Sequence, residues 1–429
     1  MRLMPTSIPP ASPRYIWQHR AWPQLTFDAA ALAPALDQAR LEQGRLLGLP
    51  GAIGLEQANA VQRELWVQEA LATAAIEGEK LNLASLRSSV AHRLALADAP
   101  GPDRSVEGLV QLMRDALLNH GAVLDLDRLC RWQSALFPGG TSGIARIAVG
   151  RVRSHADAMQ IVSGPLGREV VHYEAPPSAQ VSAQMSDFLV WFASTRPSGA
   201  AAASGTGFGT GAAVNGIARA ALVHLWFECI HPFEDGNGRL GRALADMALA
   251  QDMHAQDMHA HDPQASPALV RVHGLAHQML KTRAAYYDAL NQAQRLRGIA
   301  PEASTIDATP WVQWFVDAFT RACIASQAVV RDATDKAQFL LRAAQCHINA
   351  RQSKVLERLL EAGHVGLGGG FLGGLTNEKY AKITGASRAT STRDLADLLA
   401  HGLLRVEGVG KATRYAVNVP GWEQPEVES

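Results

Sequence analysis

The run His231-Pro-Phe-Glu-Asp-Gly-Asn-Gly-Arg-Leu-Gly-Arg242 gathers groups able to move a phosphoryl or nucleotidyl group onto a hydroxyl. Gly236, Asn237 and Gly238 can adopt backbone angles closed to most residues and present consecutive N–H groups at a helix start. Such a start binds anions, because its amides are unpaired and the helix dipole favours negative charge. Arg239 and Arg242 are three residues apart and share a face, with Leu240 and Gly241 filling the turn between them. Guanidinium forks match phosphate oxygens in pairs. Asp235 is a single carboxylate beside this cradle, which suits Mg2+ held mainly by phosphates and water. His231 stands at the edge of the loop with the pKa of a general base, and Phe233 is the apolar anchor. The cradle is not a Walker loop, since Gly-x-x-x-x-Gly-Lys-Ser/Thr is absent from the chain.

These groups need two helices to hold them. Residues 214–230 read as one buried helix, stopped by Pro232 and the Gly-Asn-Gly beyond it. A second helix opens near Gly238 and runs to Gln251. The tandem Gln251-Asp-Met-His-Ala and Gln256-Asp-Met-His-Ala then reads as a slipped duplication in a loop. Upstream, 32–118 and 124–137 carry helical spacing, preceded by an aromatic segment at 15–23. Between 150 and 177, apolar pairs at 161–162 and 170–171 flank a turn and predict a hairpin. Helices are expected at 181–192, 267–297 and 310–344. Residues 198–211 are nearly all Gly, Ala, Ser and Thr and predict a surface loop.

The last part reads differently. Helices at 353–362, 377–383 and 390–401, a glycine-rich turn at 366–374 and a closing hairpin make a winged helix-turn-helix pattern. The expected fold is mainly α, with domains at 1–118, 119–344 and 345–429.

Bulk properties are ordinary: 47% hydrophobic and 19% charged residues, with 40 basic and 40 acidic side chains. Net charge therefore points to neither nucleic acid nor membrane. Four scattered cysteines argue against a disulfide framework or thiolate zinc site. No apolar run nears the roughly 18 residues a spanning helix needs, and the start is not leader-like. The sequence reads as a cytoplasmic protein without a membrane partner.

The motif closely resembles that of the Fic family, His-Pro-Phe-x-Asp/Glu-Gly-Asn-Gly-Arg-x-x-Arg, at all nine specified positions. The preceding His224-Leu-Trp-Phe-Glu-Cys-Ile is also family-like. The resemblance implies a protein adenylyltransferase that uses ATP and Mg2+ to place AMP on a Ser, Thr or Tyr of a target protein or of itself. It implies that His231 deprotonates the hydroxyl and Asp235 holds magnesium. Gly236, Asn237 and Gly238 would bind phosphates, and Arg239 and Arg242 would grip the ATP tail. The hairpin corresponds to the flap that receives a target segment by strand addition, with Val171, His172, Tyr173 and Glu174 as its nucleotide-facing edge. Tyr286, Tyr287 and Gln294 match positions bordering adenine. Core packing is the alternative for the tyrosines, and relatives more often carry Asn at the Gln294 position.

Thr73-Ala-Ala-Ile-Glu77-Gly78 fits the family's inhibitory pattern, Ser/Thr-x-x-x-Glu-Gly/Asn. Thr73 and Glu77 share a helix face, and in relatives the glutamate pairs with the second arginine, here Arg242. An exposed helix glutamate, or one that orients a water for AMP removal, are the alternatives. His254, His259, His261 and Asp262 lack metal-site spacing and read as a solvated loop. His224 reads as a packed core histidine. Residues 349–420 carry ten Lys/Arg against six Asp/Glu, and Arg388, Arg393, Lys411 and Arg414 are placed to meet DNA. A DNA partner through 345–420 and a protein contact both stay open, as does a homodimer.

Overall fold

A computed structural model describes residues 13–49, 55–93, 104–163, 168, 170–197, 214–257, 273–362, 374–408, 413–420 and 422. The expected loop at 198–211, His259, His261, Asp262, Lys411 and most of the 366–374 turn lie outside them. The chain divides into two compact units, Met1–Leu47 with Gln62–Ser326, and Gly48–Val61 with Gln327–Ser429.

The first unit opens with a 3-10 turn (Ile16–Gln18) and β1 (Leu25–Thr26). Helices α1 (Ala29–Gly48), α2 (Leu55–Ile76), α3 (Leu83–Arg93), α4 (Arg104–Leu118) and α5 (Leu126–Leu136) follow, so the helical text upstream is broken into separate rods. Two antiparallel hairpins come next: β2 (Thr141–Ser142) with β3 (Ala145–Arg146), and β4 (Gln160–Ser163) with β5 (Val170–Glu174). Then come α6 (Ser178–Ser194), α7 (Gly216–Ile230), α8 (Asn237–Asp257), α9 (Leu275–Lys281), α10 (Arg283–Ala293), β6 (Ile306–Asp307) and α11 (Thr309–Ala344). The unit takes in α2 from Gln62 and α11 as far as Ser326. β6 pairs in parallel with β1. The fold is mainly α, as expected.

α7 is the centre. Every one of its residues is buried, most of them apolar, as a helix surrounded by other elements requires. Asn215 caps it by accepting from the N–H groups of Ile217 and Ala218. Its buried Arg219 donates to Phe192 O (2.6 Å), Thr195 Oγ1 (3.0 Å) and Gln251 Oε1 (3.0 Å). That last contact corrects one expectation. α8 does not stop at Gln251 but runs to Asp257, so the first copy of the duplicated text is helical. Its polar residues are used: Gln251 also donates to His120 O (2.8 Å), and buried Asp252 pairs with Arg40.

The second unit contains α12 (Ala350–Ala362), α13 (Asn377–Thr384), α14 (Arg388–Ala400), β7 (Leu404–Glu407) and β8 (Arg414–Val417). Thr376 and Ser387 cap α13 and α14 through their hydroxyls, and Gly385 ends α13 at φ 71°. Leu356, Tyr380, Leu395, Leu398, Leu404 and Val417 share one core. β7 and β8 pair antiparallel, Leu404 opposite Val417. The cysteines are all free thiols. Among the described residues no helix is long and apolar enough to cross a membrane.

Candidate active site

The site is built where α7 ends and α8 begins. Residue His231 closes α7 through its N–H to Phe227 O (2.9 Å) and takes the left-handed conformation, φ 50° and ψ 61°. It is the one non-glycine residue with positive φ among those described. A side chain there is strained and must be held by its surroundings. Arg153 does the holding. Its buried guanidinium donates to His231 O (2.8 Å), Ile230 O (3.2 Å) and Pro176 O (2.5 Å), while its own N–H meets Pro232 O (2.9 Å). Burial, and then the Arg153 charge, press the His231 imidazole down to about 4. It is therefore a neutral base at neutral pH.

Glu228 lies one turn back on α7, with Oε2 3.7 Å from His231 Nδ1. Burial and the Glu77 charge push its carboxyl up to about 8. Both groups are uncharged at neutral pH, so the contact is not an ion pair.

The loop between the helices is closed by its own side chains. Phe233 is fully buried. Asn237 Oδ1 accepts from Phe233 N (3.0 Å) and its Nδ2 donates to Phe233 O (2.8 Å), so the Asn237 side chain fastens the loop. Gly236 stands at φ 90° against Phe137 and Leu136. Leu240 N–H meets Gly236 O (3.0 Å), and the amides ahead of it are those a helix start leaves unpaired. Asp235 accepts from Gly236 N (2.5 Å) and from the Ser142 hydroxyl of β2.

Both arginines are already engaged. Arg242 is buried; its Nε donates to Thr73 Oγ1 (2.7 Å), and its terminal nitrogen donates to Thr73 O (3.0 Å) and Glu77 Oε1 (2.7 Å). Burial pushes the Glu77 carboxyl up, but the Arg242 charge and hydrogen bond, followed by the Arg239 charge, outweigh it and hold Glu77 below its usual range. The same carboxylate lies over the α8 start: a Cβ on Gly238 would collide with Glu77 Oε1. Arg239 donates to Glu79 Oε1 (2.7 Å), packs over the Phe137 ring (4.9 Å) and stands 3.6 Å from Asp235.

The two tyrosines brace this arrangement. Tyr286 is buried and its hydroxyl is 2.9 Å from Nε2 of His224, which stacks on Trp311. Tyr287 donates to Ile76 O (3.2 Å) at the end of α2. Buried Gln294 caps α10 and donates to Glu228 O (3.4 Å). On the flap, Val171 is exposed, but the Tyr173 side chain turns inward to Cys229 O (2.7 Å) and the Tyr15 ring. His172 O accepts from Arg295 (3.3 Å), and Glu174 O from Trp17 (2.8 Å).

A family model described as Fic/DOC family matches residues 123–249. The chain carries a Fic/DOC family domain. Such domains typically transfer nucleoside monophosphates from nucleoside triphosphates onto proteins, commonly with Mg2+. A second model, described as a domain of unknown function (DUF4172), matches residues 15–96. None of the curated proteins matches the chain. Among solved structures, a Fic family protein from Desulfovibrio desulfuricans G20 is 19% identical over 90% of this chain and 96% of its own, at TM-score 0.44. A Fic domain containing signaling protein from Bacteroides thetaiotaomicron VPI-5482 is 16% identical over 69% and 97%, at 0.45. Fic-1 (residues 134–508) from C. elegans is 18% identical over 71% and 74%, at 0.42.

The first unit thus brings together His231, Asp235, Gly236, Gly238, Arg239 and Arg242 with Thr73, Glu77, Tyr286 and Tyr287. It leaves His254 outside, against the His120 ring (5.2 Å). Among the described residues no three His, Cys, Asp or Glu side chains form a metal cluster. Sequence reading missed Glu79, Arg153 and Ser142. A second acidic residue two positions past Glu77 was the available signal for the first; the other two carry none.

Proposed function

We propose that the Fic domain transfers AMP from ATP to a Ser, Thr or Tyr hydroxyl of a target protein, or of the chain itself, and that Glu77 holds it off. The observation that carries this reading is the Glu77 carboxylate at the α8 start, paired with Arg242. The protein's own anion occupies the cradle that a polyphosphate would enter, so the donor set fits that ligand. Asp235 also fits a magnesium ion held chiefly by phosphates and water: it is a single carboxylate, its side chain about a third exposed (37%). Bound there, Mg2+ would neutralise phosphate charge.

His231, neutral and held by Arg153, takes the proton of the attacking hydroxyl. The oxygen bonds to the α-phosphorus of ATP, and the bond to pyrophosphate breaks. Arg242 can grip the terminal phosphate only after Glu77 releases it. Arg239 must likewise leave Glu79.

A second reading, removal of AMP with Glu77 orienting a water, rests on the same carboxylate, whose charge reaches His231. Incubating Glu77→Gly protein with ATP labelled at the α or γ phosphate tests the first. Protein label from α and none from γ is expected. Label from γ alone would overturn AMP transfer, and equal labelling of Glu77→Gly and wild type would overturn the brake. Release of AMP from modified protein by wild type, but not by Glu77→Gly, would favour the second reading.

A further inference from the structure

The second unit sorts its charges in a way the nucleotide site does not require. α14 turns Ser391, Asp394, Leu395 and Leu398 inward and leaves Arg388, Ala389, Thr392, Arg393, Ala396, Asp397 and Ala400 exposed. Its acidic residues are bound within the unit. Asp394 accepts from Arg351 Nε (2.9 Å), Tyr380 OH (2.9 Å) and Asn349 Nδ2 (3.2 Å). Asp397 accepts from Gln352 Nε2 (2.7 Å).

Arg388 and Arg393 make no ion pair among the described residues, and exposed Lys382 in the last turn of α13 adds a third cation. Exposed Glu378 at the opening of α13 marks the limit of the patch. Two other basic side chains are occupied. Arg405 donates to Val417 O, Glu407 and Trp422 O, and Arg351 is held by Asp394.

We infer that this face of α14 docks on duplex DNA. Unpaired arginines and hydroxyls on the first turns of a helix suit phosphates and base edges. Ala389 and Ala396 on the same face let the helix backbone approach closely. α13, the Gly385 turn and α14 give the helix-turn-helix geometry in which a second helix enters the major groove, with the β7–β8 hairpin alongside. The complement is a polyanion, because Arg388, Arg393 and Lys382 have no acidic partner among the described residues.

Fluorescence anisotropy of a short labelled duplex of mixed sequence, with the full chain at rising salt, tests this. Each phosphate contact lowers the slope of log K against log salt by about 0.9, so three cations give about −3, and Arg388→Ala/Arg393→Ala removes about two-thirds of it. That double variant should bind about tenfold or more weakly at low salt, with an unchanged thermal midpoint because both side chains are exposed. Arg388→Gln/Arg393→Gln, which retains bulk, must lose as much. No duplex binding at low salt, or equal binding by the variants, overturns the inference. Tighter binding of polyglutamate than of duplex also overturns it, in favour of an acidic protein partner. None of these readouts uses nucleotide transfer, so they stand apart from the proposed enzyme activity.

Discussion

The starts of α8 and α14 are two solutions to the same charge problem. Each opens after a turn containing a positive-φ glycine, Gly236 in one and Gly385 in the other, and each carries two arginines. At α8 the arginines are buried, and carboxylates from the end of α2 and just beyond it reach them: Glu77 to Arg242 and Glu79 to Arg239. At α14 it is the acids that are bound, Asp394 by Arg351 and Tyr380 and Asp397 by Gln352, while Arg388 and Arg393 face solvent. A count of charges would score the two sites alike. What separates them is which sign is already spoken for. A buried, paired arginine must exchange one anion for another, so in the proposed reading its site is gated by that partner. An exposed, unpaired arginine is available at once but is screened by salt.

The gated site can be broken most severely at its base. His231→Ala in the Glu77→Gly background should cut transfer of the α-phosphate label about 10²–10⁴-fold, the range for loss of a general base. Retained transfer would remove His231 from the chemistry. Next in size is release of the gate. Glu77→Gly should raise transfer about 5–150-fold, the span of a typical coupling free energy, read as the initial rate of labelling.

The acid limb of the rate profile sharpens the comparison further. An ordinary histidine loses its base function below about pH 6.5. His231 is held at about 4, so kcat/KM of the Glu77→Gly protein should stay flat through pH 6 and fall only near 4. The Glu77 pair has its own sign. Its folded-state carboxyl lies below the ordinary 4.5. The stability it contributes is therefore present above that pH and lost as pH falls through the folded value. Denaturant midpoints of wild type and Glu77→Gln should differ by a constant amount above about pH 5 and converge in acid.

Much of the gated site was legible because its residue types have few other uses together. His-Pro at a helix end, Gly-Asn-Gly at a helix start and arginines three apart each constrain the backbone locally, and Gly236 at φ 90° meets that demand. Thr73 and Glu77 were legible only through the family resemblance, since a Thr and a Glu four residues apart are common by themselves. The mainly α fold and the two closing helices followed from apolar spacing, and the structure adds the caps at Thr376 and Ser387. The residues that escaped act at long range. Arg153 reaches the carbonyls of Ile230 and His231 from 78 residues upstream of the latter, and backbone carbonyls leave no signature in sequence. The extension of α8 escaped because Gln251 and Asp252 read as loop residues until Arg219 and Arg40 satisfy them.

Glu79 was hidden by helical logic itself. Two residues past Glu77, it belongs on a different face of any continuing helix. α2 ends at Ile76, however, and Gly78 takes φ 81°, while Glu77 and Glu79 both donate their N–H to Ala74 O. The chain folds back on itself, and both carboxylates reach the arginines of α8. Their weights differ. The Glu79 side chain is 43% exposed against 30% for Glu77, and exposed ion pairs contribute about 0–1 kcal/mol. Glu79→Ala alone should therefore raise transfer no more than about fivefold, and less as salt rises. Added to Glu77→Gly it should increase the rate by a similar small factor, since the two pairs hold different arginines. The decisive measurement is labelling by the single and double variants at low and high salt. An increase from Glu79→Ala equal to that from Glu77→Gly would mean that the exposed pair, not the buried one, closes the site.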